Sequence, residues 1–267
     1  MGNDSRARRY AIVSGKGGVG KTVITANLAA ALAGSGLRTL VVDADLGLAN
    51  LDTIMGINPA GTIQDVLAGN LTANEALVHT RGGFDLLPAG SGFFESTLLT
   101  PDLATSLEKM LEGLDPHYDA ILFDVGAGIG DVVLFFARIA DDVVLVVTPE
   151  LTSLIDAYAT VKILALRYGC KNFRLVVNQA DPDCPEQSGK MVAAHLQQIA
   201  SKFLSDKGGT PVRLHFAGAL PVDPAISRAI SRQQLLVETD PDGPVASLLP
   251  RLAASLRAAP PGSPRTL

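Results

Sequence analysis

The stretch SGKGGVGKT, residues 14–22, joins two segments of different character. The run before it, YAIVS (10–14), is short and apolar, which is typical of a buried strand, and the segment after it, KTVITANLAAALA (21–33), has the composition of a helix. From Gly15 to Thr22 the residues follow the pattern G-x-x-x-x-G-K-[ST]. A glycine-rich loop in this strand–helix context predicts a site that binds phosphate groups.

The residue types in this loop suit that chemistry. Glycines let the main chain approach an anion closely, and the N–H groups at the start of the following helix point towards it. Lys21 would place its positive charge beside the β- and γ-phosphates of a nucleotide, and Thr22 would offer its hydroxyl group to Mg²⁺. We therefore predict nucleotide contacts from the whole loop, which consists of Gly15, Lys16, Gly17, Gly18, Val19, Gly20, Lys21 and Thr22.

The rest of the chain alternates between short apolar runs and longer segments with helical spacing. This alternation predicts an α/β fold with a doubly wound, mainly parallel sheet and helices on both faces. The predicted strands are 10–14, 39–43, 120–124, 143–147 and 173–177, with weaker candidates at 84–90 and 212–218. The predicted helices are 21–33, 98–114, 130–139, 153–167, 188–203 and 244–257. In such sheets, ligands bind beyond the carboxyl ends of the strands.

Composition limits the classes of function. The chain has 267 residues and a formal net charge of -5, which argues against general nucleic-acid binding. Its two cysteines have no metal-binding spacing and suit a reducing compartment. No apolar run has the length of a signal-peptide core or a membrane span. We predict a cytoplasmic protein with one domain over residues 1–258 and a disordered tail over 259–267.

Polar side chains follow three of the predicted strands. In VVDADLGLANLD (41–52), Asp43 and Asp45 would project to the same side if the strand continued, and such carboxylates can orient a water molecule or hold hydrated Mg²⁺. In AILFDVGAG (120–128), Asp124 would end its strand close to the metal ion. In LVVNQA (175–180), Asn178 carries an amide that can both donate to and accept from adenine.

Taken together, these segments resemble the deviant Walker A NTPases of the MinD/ParA family, whose loop reads K-G-G-x-G-K-[ST]. The resemblance covers about residues 10–230 and implies an ATPase that uses Mg²⁺ and forms a homodimer when ATP is bound. It implies that Lys16 reaches across that dimer to the partner's nucleotide, whereas a solvated loop lysine is the alternative. Lys16, Lys21 and Asp45 would then be the catalytic residues, with Asp45 positioning the water.

The resemblance also assigns the remaining ligands. It implies that Asn178 binds adenine and that GALPVDPAI (218–226) packs on the base through Pro221 and Asp223, although an ordinary turn would also explain those two residues. The metal ligands would be Thr22, Asp43 and Asp124.

Within the family, VVDADLGLANLD and TPELTSLIDAYATVKIL (148–164) are most similar to FlhG, also called FleN or YlxH, which sets flagellar number and placement. This implies a slow ATP-dependent switch that acts on flagellar switch or basal-body components or on a flagellar transcription regulator. FlhG proteins often carry an N-terminal segment that stimulates the GTPase FlhF. Only residues 1–9 precede the first predicted strand here and show no such motif, so coupling to FlhF is not supported.

The segment VASLLPRLAASLR (245–257) allows two interpretations. Its apolar residues share one helical face, which could contact the inner surface of the cell membrane. We favour a helix packed in the core, because Pro250 interrupts the segment and bulky aromatic residues are missing.

Four other functions stay open. A MinD-type division-site ATPase would share the same nucleotide site. A ParA-type partitioning ATPase would need a basic DNA-binding surface, which the acidic balance disfavours. A metal-cluster carrier would need cluster cysteines, which Cys170 and Cys184 do not form. A small-molecule ATP-dependent ligase of the same superfamily would need a substrate pocket that no motif indicates.

Overall fold

The apolar runs form one eight-stranded sheet, as their composition predicts. The computed structural model describes residues 6–45, 51–90, 99–204 and 211–258. The strands are β1 (Arg8–Ser14), β2 (Thr39–Ala44), β3 (Val78–His79), β4 (Asp85–Leu87), β5 (Ala120–Ala127), β6 (Asp142–Val147), β7 (Asn172–Ala180) and β8 (Arg213–Pro221). Their order across the sheet is β3-β4-β2-β5-β1-β6-β7-β8, and every neighbouring pair is parallel except β3 and β4.

Helices cover both faces of this sheet, which confirms the predicted doubly wound fold. The helices are α1 (Lys21–Gly34), α2 (Leu51–Met55), α3 (Ile63–Leu67), α4 (Ala73–Ala76), α5 (Pro101–Leu114), α6 (Asp131–Ile139), α7 (Leu151–Tyr168), α8 (Pro185–Leu204), α9 (Pro224–Ser231), α10 (Leu236–Thr239) and α11 (Leu249–Arg257). Helices α3 to α8 share one apolar core with the sheet, and α1, α2 and α9 to α11 share the other.

The side-chain alternation of β1 shows how both faces become buried. Ala11 and Val13 belong to the core beneath α3 to α8, whereas Tyr10 and Ile12 belong to the core beneath α1 and α11. Successive residues of a strand point to opposite faces, so a central strand must be apolar at every position. This is why the strands read as continuous apolar runs.

Two strands extend further than predicted, which corrects the position of two site residues. β5 continues to Ala127 and β7 continues to Ala180, so Asp124 and Asn178 lie inside their strands rather than at the ends. Small and polar residues continue the extended chain because neighbouring strands still pair with it, as Ser14 does with Ala127. The strand containing Asp43 ends at Ala44, one residue beyond its predicted end, so it does not continue to Asp45.

Several predicted boundaries are also wrong, for reasons connected with proline and capping. The helix predicted over 98–114 begins at Pro101, because a residue before proline avoids helical geometry and Thr100 caps the helix by accepting from the N–H of Leu103. Leu98 lies outside the described residues. The strand predicted over 84–90 shortens to Asp85–Leu87, since Pro88 has no N–H to donate.

The sequence prediction missed the short elements. These are the edge strand β3 and the helices α2, α3, α4, α9 and α10, which are too short for helical periodicity to be read. Two of them had a readable signal, because Thr62 with Asp65 and Thr72 with Glu75 form capping boxes at the starts of α3 and α4.

The segment 245–257 packs in the core, as the favoured interpretation predicts. Leu249, Leu252 and Leu256 are each 3% exposed or less and pack against α1 and β8. Pro250 does not interrupt the helix but occupies its first turn, where a missing N–H costs nothing. The tail predicted to be disordered, 259–267, lies outside the described residues.

Candidate functional site

The loop between β1 and α1 forms an open N-terminal helix end at the carboxyl edge of the sheet. Gly18 and Gly20 have φ angles of 78° and 90°, which only glycine adopts readily. Gly20 precedes α1 and has no side chain to cap it, so the first N–H groups of the helix stay available to an anion. The geometry is that of a phosphate cradle.

Helix α7 packs directly on the first glycine of this loop. A Cβ atom at Gly15 would lie 2.2 Å from the carbonyl carbon of Asp156, whereas one at Gly17 would meet nothing within 4 Å. Gly15 is therefore required by packing against the main chain of α7.

Lys21 lies at the centre of the site with little access to solvent. Lys21 is only 8% exposed, and this burial lowers the pKa of its ammonium group. The negative charges of Asp124 and Asp45 partly oppose that lowering. Lys21 therefore places a buried positive charge at the start of α1, next to the phosphate cradle.

Asp124 is a deeply buried carboxylate of the site. It lies on the central strand β5 in register with Ile12 on one side and Asp43 on the other. Burial raises its pKa to about 6, while hydrogen bonds from Thr22 and Thr25 and the charge of Lys21 act in the opposite direction. Burial disfavours the negative charge of this carboxylate. A bound cation would compensate that charge, which makes the carboxylate a good cation ligand.

The sequence prediction missed Thr25. Its Oγ1 lies 3.0 Å from Asp124 Oδ1 and 2.9 Å from the carbonyl oxygen of Lys21. The available signal was helical spacing, since a residue four positions after Lys21 returns to the same face of α1.

Asp43 holds the chain that leaves β2. Its carboxylate oxygens accept from the N–H groups of Asp45 at 3.2 Å and Leu51 at 3.4 Å. Burial raises the pKa of Asp43 well above its usual range, and the neighbouring Asp124 carboxylate raises it further. The described contacts give Asp43 a local structural role, and its metal role stays a prediction.

Asp45 reaches the same region from the end of β2. Its Oδ1 lies 3.3 Å from where a Cβ atom at Gly126 would be, so the side chain approaches β5 where Gly126 leaves room. Its charge also contributes to the pKa shifts of Lys21 and Asp124. The structure therefore brings together Lys21, Asp45 and Asp124, three residues that the sequence predicted for one site.

The donor set fits Mg²⁺. The Thr22 hydroxyl and the Asp124 carboxylate are hard oxygen ligands, and Mg²⁺ in nucleotide sites is usually held by one or two protein groups together with phosphate oxygens and water. Among the described residues, no group of three or more His, Cys, Asp or Glu side chains is placed to hold a metal ion. The protein's share of a shared Mg²⁺ site would come from Thr22 and Asp124.

Lys16 points to α7 within the same chain. Its ammonium group pairs with the carboxylate of Glu150 and lies 3.1 Å from the hydroxyl oxygen of Thr152. The side chain is 27% exposed, so it is neither buried nor freely solvated. The quoted segment 148–164 contained both partners, but nothing in the sequence indicated that they meet Lys16.

A cavity of about 320 Å³ opens beside the loop and has the size of a base-binding pocket. It is lined by Gly20, Ile24, Asn178, Pro221, Asp223 and Ile226, among others. Asn178 donates from Nδ2 to the carbonyl oxygen of Val19 at 2.8 Å. Its Oδ1 is buried and has no hydrogen-bond partner in the described structure.

This arrangement shows which groups of the Asn178 amide are available to a ligand, and its predicted role at adenine stays a prediction. One N–H of the amide is used by the loop, which leaves the second N–H and the unpaired Oδ1, and this oxygen calls for a donor such as the amino group of adenine. Asp223 caps α9, with Oδ1 accepting from the N–H of Ala225 at 2.8 Å. Its Oδ2 is a second buried acceptor that no described group satisfies.

None of the helices in the described part of the chain combines the length and the apolar character needed to span a membrane.

Comparisons with known proteins agree with this geometry. Residues 6–257 match the family model described as "ParA: NUBPL iron-transfer P-loop NTPase". The chain is 36% identical over 241 residues to the antiactivator FleN of Pseudomonas aeruginosa, which covers 90% of this chain and 83% of FleN. It is 32% identical over 256 residues to the flagellum site-determining protein YlxH of Helicobacter pylori, covering 95% of this chain and 83% of YlxH.

A solved structure shows the same fold. The cell division ATPase MinD of Pyrococcus furiosus superposes with a TM-score of 0.74 at 26% identity, covering 96% of this chain and 98% of that one.

Proposed function

Since this chain belongs to the ParA/MinD family of P-loop NTPases, we propose that it is an ATP-dependent switch that regulates flagellar number or placement. The family membership confirms the resemblance predicted from the loop. The observation that carries the flagellar part is the similarity to FleN and YlxH, which extends over 90% and 95% of this chain. Their names describe one as an antiactivator and the other as a determinant of the flagellum site.

The proposal assigns ATP as the nucleotide. The main support is the buried Asn178 Oδ1, which can accept from the amino group of adenine, whereas the corresponding oxygen of guanine is itself an acceptor. Lys21 would neutralise the β- and γ-phosphates, and the glycine loop would surround them with N–H groups. Pro221 and Asp223 would contact the base from the opposite wall of the cavity.

Thr22 and Asp124 would hold Mg²⁺ with the phosphates. The ion would supply positive charge to the transferring phosphoryl group. Asp45 would orient the attacking water, since its carboxylate lies close enough to Lys21 and Asp124 to influence both pKa values. Hydrolysis would return the switch to its resting state, and a partner would stimulate it.

The second lysine of the loop would connect hydrolysis to dimerisation. In the single chain, Lys16 is held by Glu150 and Thr152 at the start of α7. We propose that it leaves these partners in the ATP-bound homodimer and contacts the phosphates bound to the other protomer. A positive charge supplied in this way can stabilise the charge that develops on the phosphoryl group.

The partner is proposed to be a flagellar switch component, a basal-body component or a flagellar transcription regulator. We do not extend the proposal to the membrane through α11, because its apolar residues already pack in the core. We also do not propose DNA as a partner, because the chain has a formal net charge of -5.

The test of the switch combines Asp45→Ala protein with ATP or ADP in size-exclusion chromatography with light scattering. We expect a dimer with ATP and a monomer with ADP. Lys16→Ala should lower ATP hydrolysis while leaving binding of ADP to the monomer unchanged. Lys162→Ala, which removes an exposed lysine of α7, is the matched control and should behave like the wild type. A monomer in both nucleotides would refute the switch.

The test of the process is deletion of the gene in its native host, followed by counting flagella in each cell. An altered number or position, restored by the wild type but not by Lys21→Ala, is expected. Misplaced division septa would instead support a MinD-type role, and loss of plasmid or cargo inheritance would support a ParA-type role.

A further inference from the structure

Thr25 is a buried threonine of α1 whose hydroxyl group lies between the first turn of that helix and the central strand. It is fully buried, as is Asp124, which it meets across the boundary between helix and sheet. Its Oγ1 lies 3.0 Å from Asp124 Oδ1 and 2.9 Å from the carbonyl oxygen of Lys21. Neither our sequence prediction nor the family comparisons assign it a role.

A threonine hydroxyl has one proton, so it can donate fully to only one of these two acceptors. The carbonyl oxygen of Lys21 already accepts from the N–H of Thr25 in the ordinary helical pattern, since the two residues are four positions apart. The Asp124 carboxylate has the greater need, because a buried charged oxygen without a donor is costly. The hydroxyl proton is therefore better used on Asp124 whenever that carboxylate is charged.

Both partners are held firmly by their elements. The backbone of Asp124 is paired with β1 on one side and β2 on the other, which leaves rotation of its carboxylate as the main remaining freedom. Thr25 is β-branched and lies inside a helix, where few side-chain rotamers are allowed. A hydrogen bond between two such groups fixes which carboxylate oxygen faces Thr25 on the helix.

We propose that Thr25 is a positioning residue that orients the Asp124 carboxylate for a divalent cation bound with the nucleotide. This inference rests on the proposed function, because it needs a nucleotide and Mg²⁺ at the loop. Thr25 holds Oδ1, so the carboxylate keeps one fixed orientation towards the cation or one of its water molecules. Groups that orient metal ligands in this way commonly change metal affinity by about 10- to 100-fold when they are removed.

The test measures how strongly Mg²⁺ tightens the binding of a fluorescent nucleotide, mant-ADP, in Mg²⁺ compared with EDTA. Thr25→Val removes the hydroxyl but keeps the branched shape. We expect the ratio of the two affinities to fall about tenfold, with the affinity in EDTA unchanged. Thr25→Ser keeps the hydroxyl and should restore the wild-type ratio.

Thr160→Val is the matched control. Thr160 is also fully buried in a helix, and its Oγ1 lies 3.1 Å from the carbonyl oxygen of Asp156 with no carboxylate partner. The Thr160→Val variant should lose stability to a similar extent as Thr25→Val, but it should keep the wild-type ratio of nucleotide affinities in Mg²⁺ and EDTA. The thermal midpoint of each nucleotide-free variant separates a loss of stability from a loss of cation binding.

Two outcomes would overturn the inference in different ways. If Thr25→Val keeps the wild-type ratio, or if Thr25→Ser loses it, Thr25 does not orient the metal ligand, although the proposed function survives. If Mg²⁺ does not affect nucleotide binding to the wild type, the proposed function and this inference both fail.

Discussion

Asn178 shows how much of the site depends on the two ends of one side chain. Its amide nitrogen supports the loop through Val19, and its amide oxygen is left as a buried acceptor. A buried acceptor without a partner costs about 1–3 kcal/mol, so a ligand that donates to it gains that amount. In the proposed function, the residue would select the base while it supports the loop through Val19.

Asn178→Ala is expected to reduce the preference for ATP over ITP about tenfold or more. ITP has the same phosphates but lacks the amino group, so the ratio of the two dissociation constants isolates the base contact from any disturbance of the loop. Isothermal titration with both nucleotides gives this ratio. Asn172→Ala, at the exposed start of the same strand, is the control and should keep the wild-type preference. An unchanged ratio in Asn178→Ala would contradict the assignment.

The buried negative charge of Asp124 suits it to bind a cation but lowers the stability of the nucleotide-free fold. Burial raises its pKa to about 6 in the folded protein, above the value of an unfolded chain, so the folded state holds the proton more tightly. The charged carboxylate therefore destabilises the fold above about pH 6, and this cost disappears as the pH falls through 6 towards 4.

Asp124→Asn should consequently raise the free energy of unfolding of the nucleotide-free protein at pH 8 by about 1–3 kcal/mol. The advantage should be clearly smaller at pH 4.5, because the wild-type carboxyl is then protonated in the folded state and carries no buried charge. Urea unfolding at the two pH values measures the difference. Asp242→Asn, at an exposed position, should change little at either pH. Equal stability of Asp124→Asn and the wild type at pH 8 would show that burial does not penalise this charge.

At the scale of elements, the phosphate loop packs against α7, and its two lysines lie in different surroundings. Gly15 lets α7 approach its main chain, and the start of α7 then supplies the partners of Lys16. Lys21 belongs to α1 and turns towards β5 instead. The packing of α7 on the loop thus leaves Lys21 buried beside β5 and holds Lys16 at the start of α7.

Gly15→Ala should lower the free energy of unfolding by about 1–3 kcal/mol, because the added methyl group meets main-chain atoms that cannot rotate away. Gly17→Ala is the matched control. Its methyl group would enter open space and its φ angle is not positive, so its stability should stay the same or rise slightly. Chemical unfolding without nucleotide tests both variants, and an equal loss in the two would contradict the packing argument.

At the scale of the whole molecule, a network of buried charged residues links the C-terminal end of α11 to strands β1, β6 and β7. Asp142 on β6 accepts from Arg8 on β1 at 2.8 Å and from Arg174 on β7 at 2.7 Å. Arg174 also donates to the carbonyl oxygens of Ser255 and Ala258 at the end of α11. The network satisfies carbonyl groups that a helix end leaves without partners. It holds α11 at the edge of the sheet opposite the phosphate loop.

Arg174→Ala is expected to lower the free energy of unfolding by about 3–5 kcal/mol, since it leaves Asp142 buried with one partner fewer and frees the end of α11. Arg213→Ala, an exposed arginine on the neighbouring strand, is the control and should change stability by less than about 0.5 kcal/mol. Urea unfolding compares the two variants. A similar small effect in both would show that the network contributes little.

Residues close in sequence determined the parts of the protein that depend on local geometry. The loop from Gly15 to Thr22 specifies its own main-chain path, because glycine spacing and the adjoining strand and helix are all local. The apolar runs likewise predicted the parallel sheet, since a strand covered on both faces must be apolar throughout. Asp45, Asp124 and Asn178 could be placed near the loop for a similar reason, as they lie towards the carboxyl ends of parallel strands or just beyond one.

Only the tertiary structure decided how these residues meet. The contact of Lys16 with Glu150 joins residues 134 positions apart, and that of Thr25 with Asp124 joins residues 99 positions apart. It also showed that the carbonyl oxygen of Val19 accepts from the Asn178 amide and that α11 turns its apolar face inward. Periodicity tells which face of an element is apolar but not which element covers it. Such contacts arise from the packing of elements distant in sequence, so no local pattern encodes them.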